Sequence, residues 1–287
     1  MASTIKLKKR IRSVNSTKQI TGAMELVSAS KMRRATKASL DTQPYHKASS
    51  EILQHLAGEG ARDKYGFFAH KELKTRLVLV ISSDTGLAGA YNSNVFKTLV
   101  AEIKRDEGRN VKTEILAIGR KASQFVSRLA SANVVGVYEG VSDKTTLREA
   151  IRQTIFEKYR SDEIQAADII YTKYNSAISQ EVKMWHLLPA GYIPGMEISE
   201  NIRVATYEPS RGVVLDAAVE RILEVQIVQA ILDSSASEHS MRMMAMKNAT
   251  DNASDLVEDL TLVMNKERQS AITNELIDIN AGAAAVA

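Results

Sequence analysis

From Val213 to Ala281 the chain carries neither glycine nor proline. Nothing in such a stretch interrupts an α-helix, and at 1.5 Å per residue it would run for on the order of 100 Å. A domain of ordinary size is far narrower than that. Propensity alone does not hold so long a helix in water, so it must be packed along its length. Its seam is legible. His239, Met243, Met246, Thr250, Ala253, Val257, Leu260 and Met264 alternate four and three apart, the 3.5-residue period of a helix wound against a partner.

The partner is predicted at the other end of the chain. Residues 4 to about 57 read as one helix, with Ser3 or Thr4 as its cap and Gly58 and Gly60 as its end. Leu7, Ile11, Val14, Thr21, Met24 and Ser28 keep near-heptad spacing with polar lapses. A second phase through Ile20, Met24, Val27, Lys31, Ala35 and Ala38 predicts a stutter. Pro44 is expected to kink or divide the helix. Because one helix ends where the middle region starts and the other starts where it ends, the two must run antiparallel. The second is longer, so its last turns are expected to project beyond the pair.

Between them the period changes. Leu77–Ser82 is a short apolar run followed by a glycine-bearing turn and a helical pattern to about Asp106. The run recurs at Ile115–Ile118, Val134–Tyr138, Asp168–Tyr174 and Glu181–Leu188, with helical patterns at 120–130 and 145–160. Strands alternating with helices imply a mainly parallel sheet covered on its faces. The expected fold is therefore α/β: a long antiparallel two-helix coiled coil with an inserted Rossmann-like domain. Its parts are residues 1–60, 75–208 and 209–287.

Composition removes several chemistries. Cysteine is absent, which excludes disulfides, thiolate nucleophiles and cysteine-based zinc sites. The N-terminus, MASTIKLKKR, has no apolar core of a secretory signal, and no stretch approaches a membrane span. The five histidines at 46, 55, 70, 186 and 239 are scattered, without H-x-H or H-E-x-x-H, so no metal site is expected. His239 and Trp185 read as packing residues. The turn SSDTGLAGAYN, residues 82–92, lacks both glycine-rich phosphate motifs. Its glycines read as tight-turn residues, and Asp84 as the cap of the helix that follows. No G-x-S-x-G elbow occurs. No cofactor and no catalytic side chain are expected.

Two features call for partners. Residues 1–40 hold ten Lys or Arg against Glu25 alone, a net +9 in a chain of net +4, so the remainder carries −5. Such a basic arm suits an acidic protein, nucleic acid or an anionic surface, although the usual fate of a charge run such as Lys31, Arg33, Arg34 and Lys37 is a solvated helix face, and with no nucleic-acid motif or aromatic platform beside it no nucleic-acid partner is expected. The Met-rich stretch 241–246 reads as core at Met243 and Met246, while Met241 and Met244 hint at a second contact surface. The end of the chain, LIDINAGAAAVA, carries one charged group in twelve residues, and an apolar end on a projecting helix needs a socket.

Residues 5–35, IKLKKRIRSVNSTKQITGAMELVSASKMRRA, resemble the opening of the gamma subunit of F-type ATP synthases. The turn SSDTGLAGAYN, the segment EHSMRMMAMKNATDNASDL at 238–256 and KERQSAITNELIDINAGAAAV at 266–286 are similar to that family as well. The resemblance runs end to end. It implies a non-catalytic rotor whose two-helix rod turns inside a ring of three α and three β subunits. The globular domain would rest with the epsilon subunit on the c-subunit ring, and proton or sodium flow would drive rotation. Carried over by motif, Arg268 and Gln269 meet an acidic loop of a β subunit. Thr273, Glu275 and Met24 match positions tied to coupling. Lys31, Arg33 and Arg34 face acidic β loops, and Tyr207 and Glu208 belong to the foot near epsilon and the c ring.

The departures are Gly22, where the family usually has Lys, and Thr85 in place of the loop's usual Arg. Without cysteine the chain lacks the redox pair of chloroplast members. The basic residues 1–24 could mimic a mitochondrial presequence, but the resemblance begins within the first few residues. A peripheral subunit at the cytoplasmic face of a bacterial plasma membrane is the expected setting.

Overall fold

The computed structural model describes residues 2–58, 66–69, 71–129, 133–140, 144–190 and 211–286. Among the described residues ten elements follow in order: α1 (Ala2–Gly58), β1 (Thr75–Ile81), α2 (Tyr91–Glu107), β2 (Lys112–Ile118), α3 (Arg120–Val126), β3 (Asn133–Tyr138), α4 (Lys144–Arg160), β4 (Ala166–Tyr174), β5 (Gln180–Leu188) and α5 (Arg211–Val286). The chain divides into two compact units, residues 1–29 with 242–287 (unit 1) and residues 30–241 (unit 2).

Unit 2 is built on a five-stranded sheet of order β3-β2-β1-β4-β5. β1 pairs in parallel with β2 and β4, β2 with β3, and β4 pairs antiparallel with β5. Only five residues join β4 to β5, too few for the crossover that a parallel pair requires. β1 is buried on both faces, which explains why LVLVI is an unbroken apolar run. Leu77, Leu79 and Ile81 point to one side, where they meet α4 through Ile151, Ile155 and Phe156, and α5 through Val219, Leu223 and Ile227. Val78 and Val80 point to the other, against Val95 and Leu99 of α2 and Ala122 of α3. The two-residue alternation of the strand thus feeds two separate cores.

Within unit 2, α1 and α5 share a buried polar layer. Ser39 Oγ donates to Asp233 Oδ1 at 2.5 Å, and Gln229 Nε2 donates to Ser39 Oγ at 2.9 Å and to Asp233 Oδ1 at 3.0 Å. Thr42 Oγ1 completes it on Gln229 Oε1 at 2.7 Å. Burial pushes the Asp233 pKa up, against the opposing bonds from Ser39 and Gln229. A satisfied polar layer penalises any slip of one helix along the other, because a slip would orphan its members.

In unit 1 the seam of α5 lies where its period places it. Met246, Ala253 and Leu260 are buried, and Thr250, Val257 and Met264 are half-buried. Thr250 Oγ1 donates to Thr21 Oγ1 at 2.7 Å.

The expected stutter in α1 is absent. The sheltered face continues from Leu7 through Ile11, Val14, Lys18, Thr21, Glu25 and Ser28 to Met32, Ala35, Ser39, Thr42, His46, Ser49 and Leu53, always four then three apart. Ile20, Val27 and Lys31, half of the expected second phase, are exposed. The physical reason is that small hydroxyl residues fill this seam. Thr21 Oγ1 donates to the Lys18 carbonyl at 3.1 Å and Thr42 Oγ1 is spent on Gln229, so shelter leaves neither hydroxyl without a bond. Pro44 lies inside α1 without dividing it. Pro44 is exposed, as is Leu40 one turn earlier, the residue whose carbonyl loses its helical donor to the proline.

Candidate functional site

Arg268, Gln269, Thr273 and Glu275 stand on successive turns of α5 in unit 1, and all four are exposed. Helical spacing aligns Arg268 with Ile272, Glu275 and Ile279, and Gln269 with Thr273 and Leu276. Thr273 Oγ1 donates to the Gln269 carbonyl at 3.0 Å. Ile272, Leu276, Ile277 and Ile279 are 47%, 56%, 57% and 62% exposed, so an always-charged guanidinium rises from an apolar surface turned to solvent. Leu256, Leu262 and Val263 extend that surface along α5. On α1, Met24 is half-buried between exposed Ile20 and Val27. Lys31, Arg33 and Arg34 are exposed and belong to unit 2. Tyr207 and Glu208 lie outside the described residues.

The exposed apolar side chains are the part of this surface that motif reading passed over. Their signal was in the sequence, because apolar residues off a 3.5-residue seam have no partner within the pair. Met241 and Met244 are half-buried rather than presented to solvent. Trp185 is partly buried against the sheet core and meets His46 edge to face at 4.9 Å.

The turn after β1 is consumed by its own bonds. The Ser83 amide donates to Asn92 Oδ1 at 3.1 Å, and Asn92 Nδ2 donates to Ser83 Oγ at 2.8 Å. Asp84 does not cap α2, whose N-cap residue Ala90 makes no side-chain cap bond. Its Oδ1 instead accepts from the Arg120 amide at 3.0 Å and the Gly140 amide at 3.1 Å. It therefore caps α3 and ties down the end of β3. Spacing in sequence cannot foresee that, since strand order decides which turns become neighbours. Among the described residues no group of three or more His, Asp or Glu could hold a metal, and no helix is long and apolar enough to cross a membrane.

A second cluster escaped sequence reading altogether. Arg76, only 6% exposed, lies among three buried carboxylates. Its Nε donates to Asp106 Oδ2 at 2.7 Å, Nη2 to Glu102 Oε2 at 3.1 Å and Nη1 to Asp168 Oδ2 at 3.0 Å. Burial opposes the guanidinium's charge, but Asp168 and Asp106 outweigh it, so the Arg76 pKa rises above its ordinary value. His186 Nδ1 sits 2.5 Å from Asp168 Oδ1. That hydrogen bond raises the His186 pKa; burial and the Arg76 charge oppose it, while the Asp168 and Glu102 charges add to the rise.

The pH consequence has a definite sign. A folded pKa above the unfolded one makes the contribution complete below the unfolded value, about 6.5. It is lost as pH rises through the folded value. We expect urea unfolding to show a larger stability difference between wild type and His186→Gln at about pH 5.5 than at about pH 8.5. A difference that fails to shrink with rising pH would rule out a protonated His186 on Asp168.

The ATP synthase family model matches residues 3–286. The chain is 40% identical over 290 residues to the ATP synthase gamma chain of Haemophilus influenzae strain PittGG and 38% identical to that of Histophilus somni strain 129Pt, with each chain covered in full. Among solved structures it is similar to a chain of the Tetrahymena thermophila mitochondrial ATP synthase central stalk and c-ring, with TM-score 0.62 and 26% identity over 80% of this chain and 99% of that one. It shares the fold of a chain in the Euglena gracilis mitochondrial ATP synthase rotor, with TM-score 0.63 at 16% identity over 94% and 99%. Matched from end to end, the chain belongs to the ATP synthase gamma-chain family and is a non-catalytic subunit of that enzyme's central stalk.

Proposed function

We propose that this chain turns as the central rotor of an ATP synthase, coupling ion flow through the membrane sector to ATP synthesis in a ring of α and β subunits. The observation that carries the reading is the exposed apolar surface of α5 from Leu256 to Ile279, with Arg268 and Glu275 set into it. In water that surface is a liability; inside a ring of subunits it is a bearing. Next in the sequence come the small residues Ala281, Gly282 and Ala283–Ala285.

In this reading Arg268 engages a carboxylate of a β-subunit loop in two places, which the planar guanidinium permits and lysine does not. Gln269, Thr273 and Glu275 complete the contact, with Met24 on α1. Lys31, Arg33 and Arg34 face acidic β loops, and Tyr207 and Glu208 contact epsilon or the c ring. The domain boundaries at 60, 75 and 208 separate rod from foot. The subunit works at the cytoplasmic face of a bacterial plasma membrane and touches the membrane only through the complex.

Reconstitution tests this directly. Purified chain mixed with α and β subunits of the same source should yield a complex with one copy per three of each partner and sustained ATPase activity that depends on it. A chain that stays free while α and β assemble would reject the reading. In the same assay Arg268→Ala should lower torque or assembly stability. Because the residue is exposed, the isolated chain should stay within about 0.5 kcal/mol of wild type. An unfolded variant would show that Arg268 is structural instead.

A further inference from the structure

β4 outlasts its neighbour. Its pairing with β1 runs from Ala166 to Ile170, while the strand itself continues to Tyr174. Beyond Ile170 the backbone on that side has no strand to bond, and buried N–H and C=O groups must find partners. α5 supplies them. The Thr172 amide donates to Ser234 Oγ at 3.2 Å, and Ser237 Oγ donates to the Thr172 carbonyl at 3.1 Å. One turn on, Ser240 Oγ donates to the Ala177 carbonyl at 2.6 Å, in the turn between β4 and β5, and accepts from Gln180 Nε2 at 3.2 Å. Ser234, Ser237 and Ser240 are 1%, 0% and 0% exposed, three residues apart on one face of α5.

We propose that this serine ladder is the torque joint of the subunit, the place where the twist of the α/β unit is gripped by the long helix. The inference rests on the rotor reading above. Earlier on α5, Val219, Leu223 and Ile227 meet the sheet through oily contact. Such contact resists separation but is non-directional and tolerates sliding. Hydroxyl-to-backbone bonds are directional, and turning α5 about its axis breaks all three rungs together. The ladder also ends at the right place. Ser240 is the penultimate residue of unit 2, which closes at Met241. Twist arriving through the sheet must have entered the helix before that point.

The test uses the assembled complex and the triple variant Ser234→Ala, Ser237→Ala, Ser240→Ala. Torsional stiffness is read from the angular fluctuations of a bead on the α/β unit while the α and β ring is held fixed. Leu223→Ala, which removes oily contact with the same sheet, is the comparison. The triple variant should be about twofold softer or more, with ATP hydrolysis by the ring retained, and Leu223→Ala should keep wild-type stiffness. Equal softening in both variants, or none in the triple variant, would overturn the joint. A wild-type chain that does not assemble removes the rotor reading, and the joint with it. If the triple variant does not assemble, Ser234→Ala alone in the isolated chain decides: Thr172 amide exchange should quicken about tenfold, and an unchanged rate would overturn the ladder.

Discussion

Replacing Arg76 with methionine should lower the unfolding free energy of the α/β unit by about 3–5 kcal/mol, the range seen when one partner of a buried ionic network is removed. The size follows from what remains. Glu102, Asp106 and Asp168 are each under 10% exposed and lie on two different elements, α2 and β4. Without the guanidinium, Glu102 retains Arg105 at 2.8 Å, Asp106 retains the Thr113 hydroxyl at 2.8 Å and Asp168 retains His186. Among the described residues, Asp106 is then a buried anion with no cation within bonding distance. Lysine should recover only part of the loss, because one ammonium cannot hold three carboxylates that a planar fork reaches at once. Urea unfolding of the two variants beside wild type measures both effects. A loss under about 1 kcal/mol would show that the network holds little of the sheet together.

Gly119→Ala should be more damaging still, at or above the exceptional range of about 4–5 kcal/mol, and soluble protein should fall sharply. Gly119 has φ +91°, in the region that side chains rarely adopt. An added Cβ would stand 2.4 Å from the Ser82 carbonyl oxygen and 2.8 Å from its carbon. Neither side can yield. The Ser82 amide donates to the Ile118 carbonyl at 2.9 Å, and the Gly119 amide donates to the Tyr138 carbonyl at 2.8 Å. Moving apart would open the C-terminal ends of three adjacent strands. Gly22→Ala is the instructive contrast. There the new Cβ would meet Thr250 Cγ2 at 3.9 Å, an ordinary contact, and the helix should gain about 1 kcal/mol. Thermal melts of the two variants should therefore move in opposite directions. A Gly119→Ala variant that melts like wild type would contradict the close approach of β1 and β2.

Much of this was open to a reader of the amino acids alone. The α5 seam from His239 to Met264 announces itself because apolar side chains must recur at the period of the surface they bury. β1 announces itself through LVLVI, since a strand covered on both faces has no polar alternation. The motifs flanking Arg268 carried the family, and exposed Ile272, Leu276 and Ile279 were visible as apolar residues with no place in the seam.

What sequence reasoning mistook or missed has one physical origin. The α1 seam was misread as a stutter because hydrophobicity was the criterion, whereas Thr21, Ser28, Ser39 and Ser49 are buried, and Thr42 half-buried, as small residues whose hydroxyls can find bonds. Periodicity registers what is apolar, and cannot register a polar group that the fold will satisfy. Arg76, Glu102, Asp106, Asp168 and His186 span 110 positions, and only strand order makes them one cluster. Asp84 reaches Arg120 and Gly140 for the same reason, and Ser234 and Ser237 find Thr172 only because β4 runs past β1. The sequence by itself determined which segments are helix and strand and which faces must be covered, because burial of apolar area is local and periodic. The tertiary structure alone decided where each buried polar group finds its partner, because hydrogen bonds and ion pairs need groups within about 3 Å, and no pattern along a chain specifies that distance.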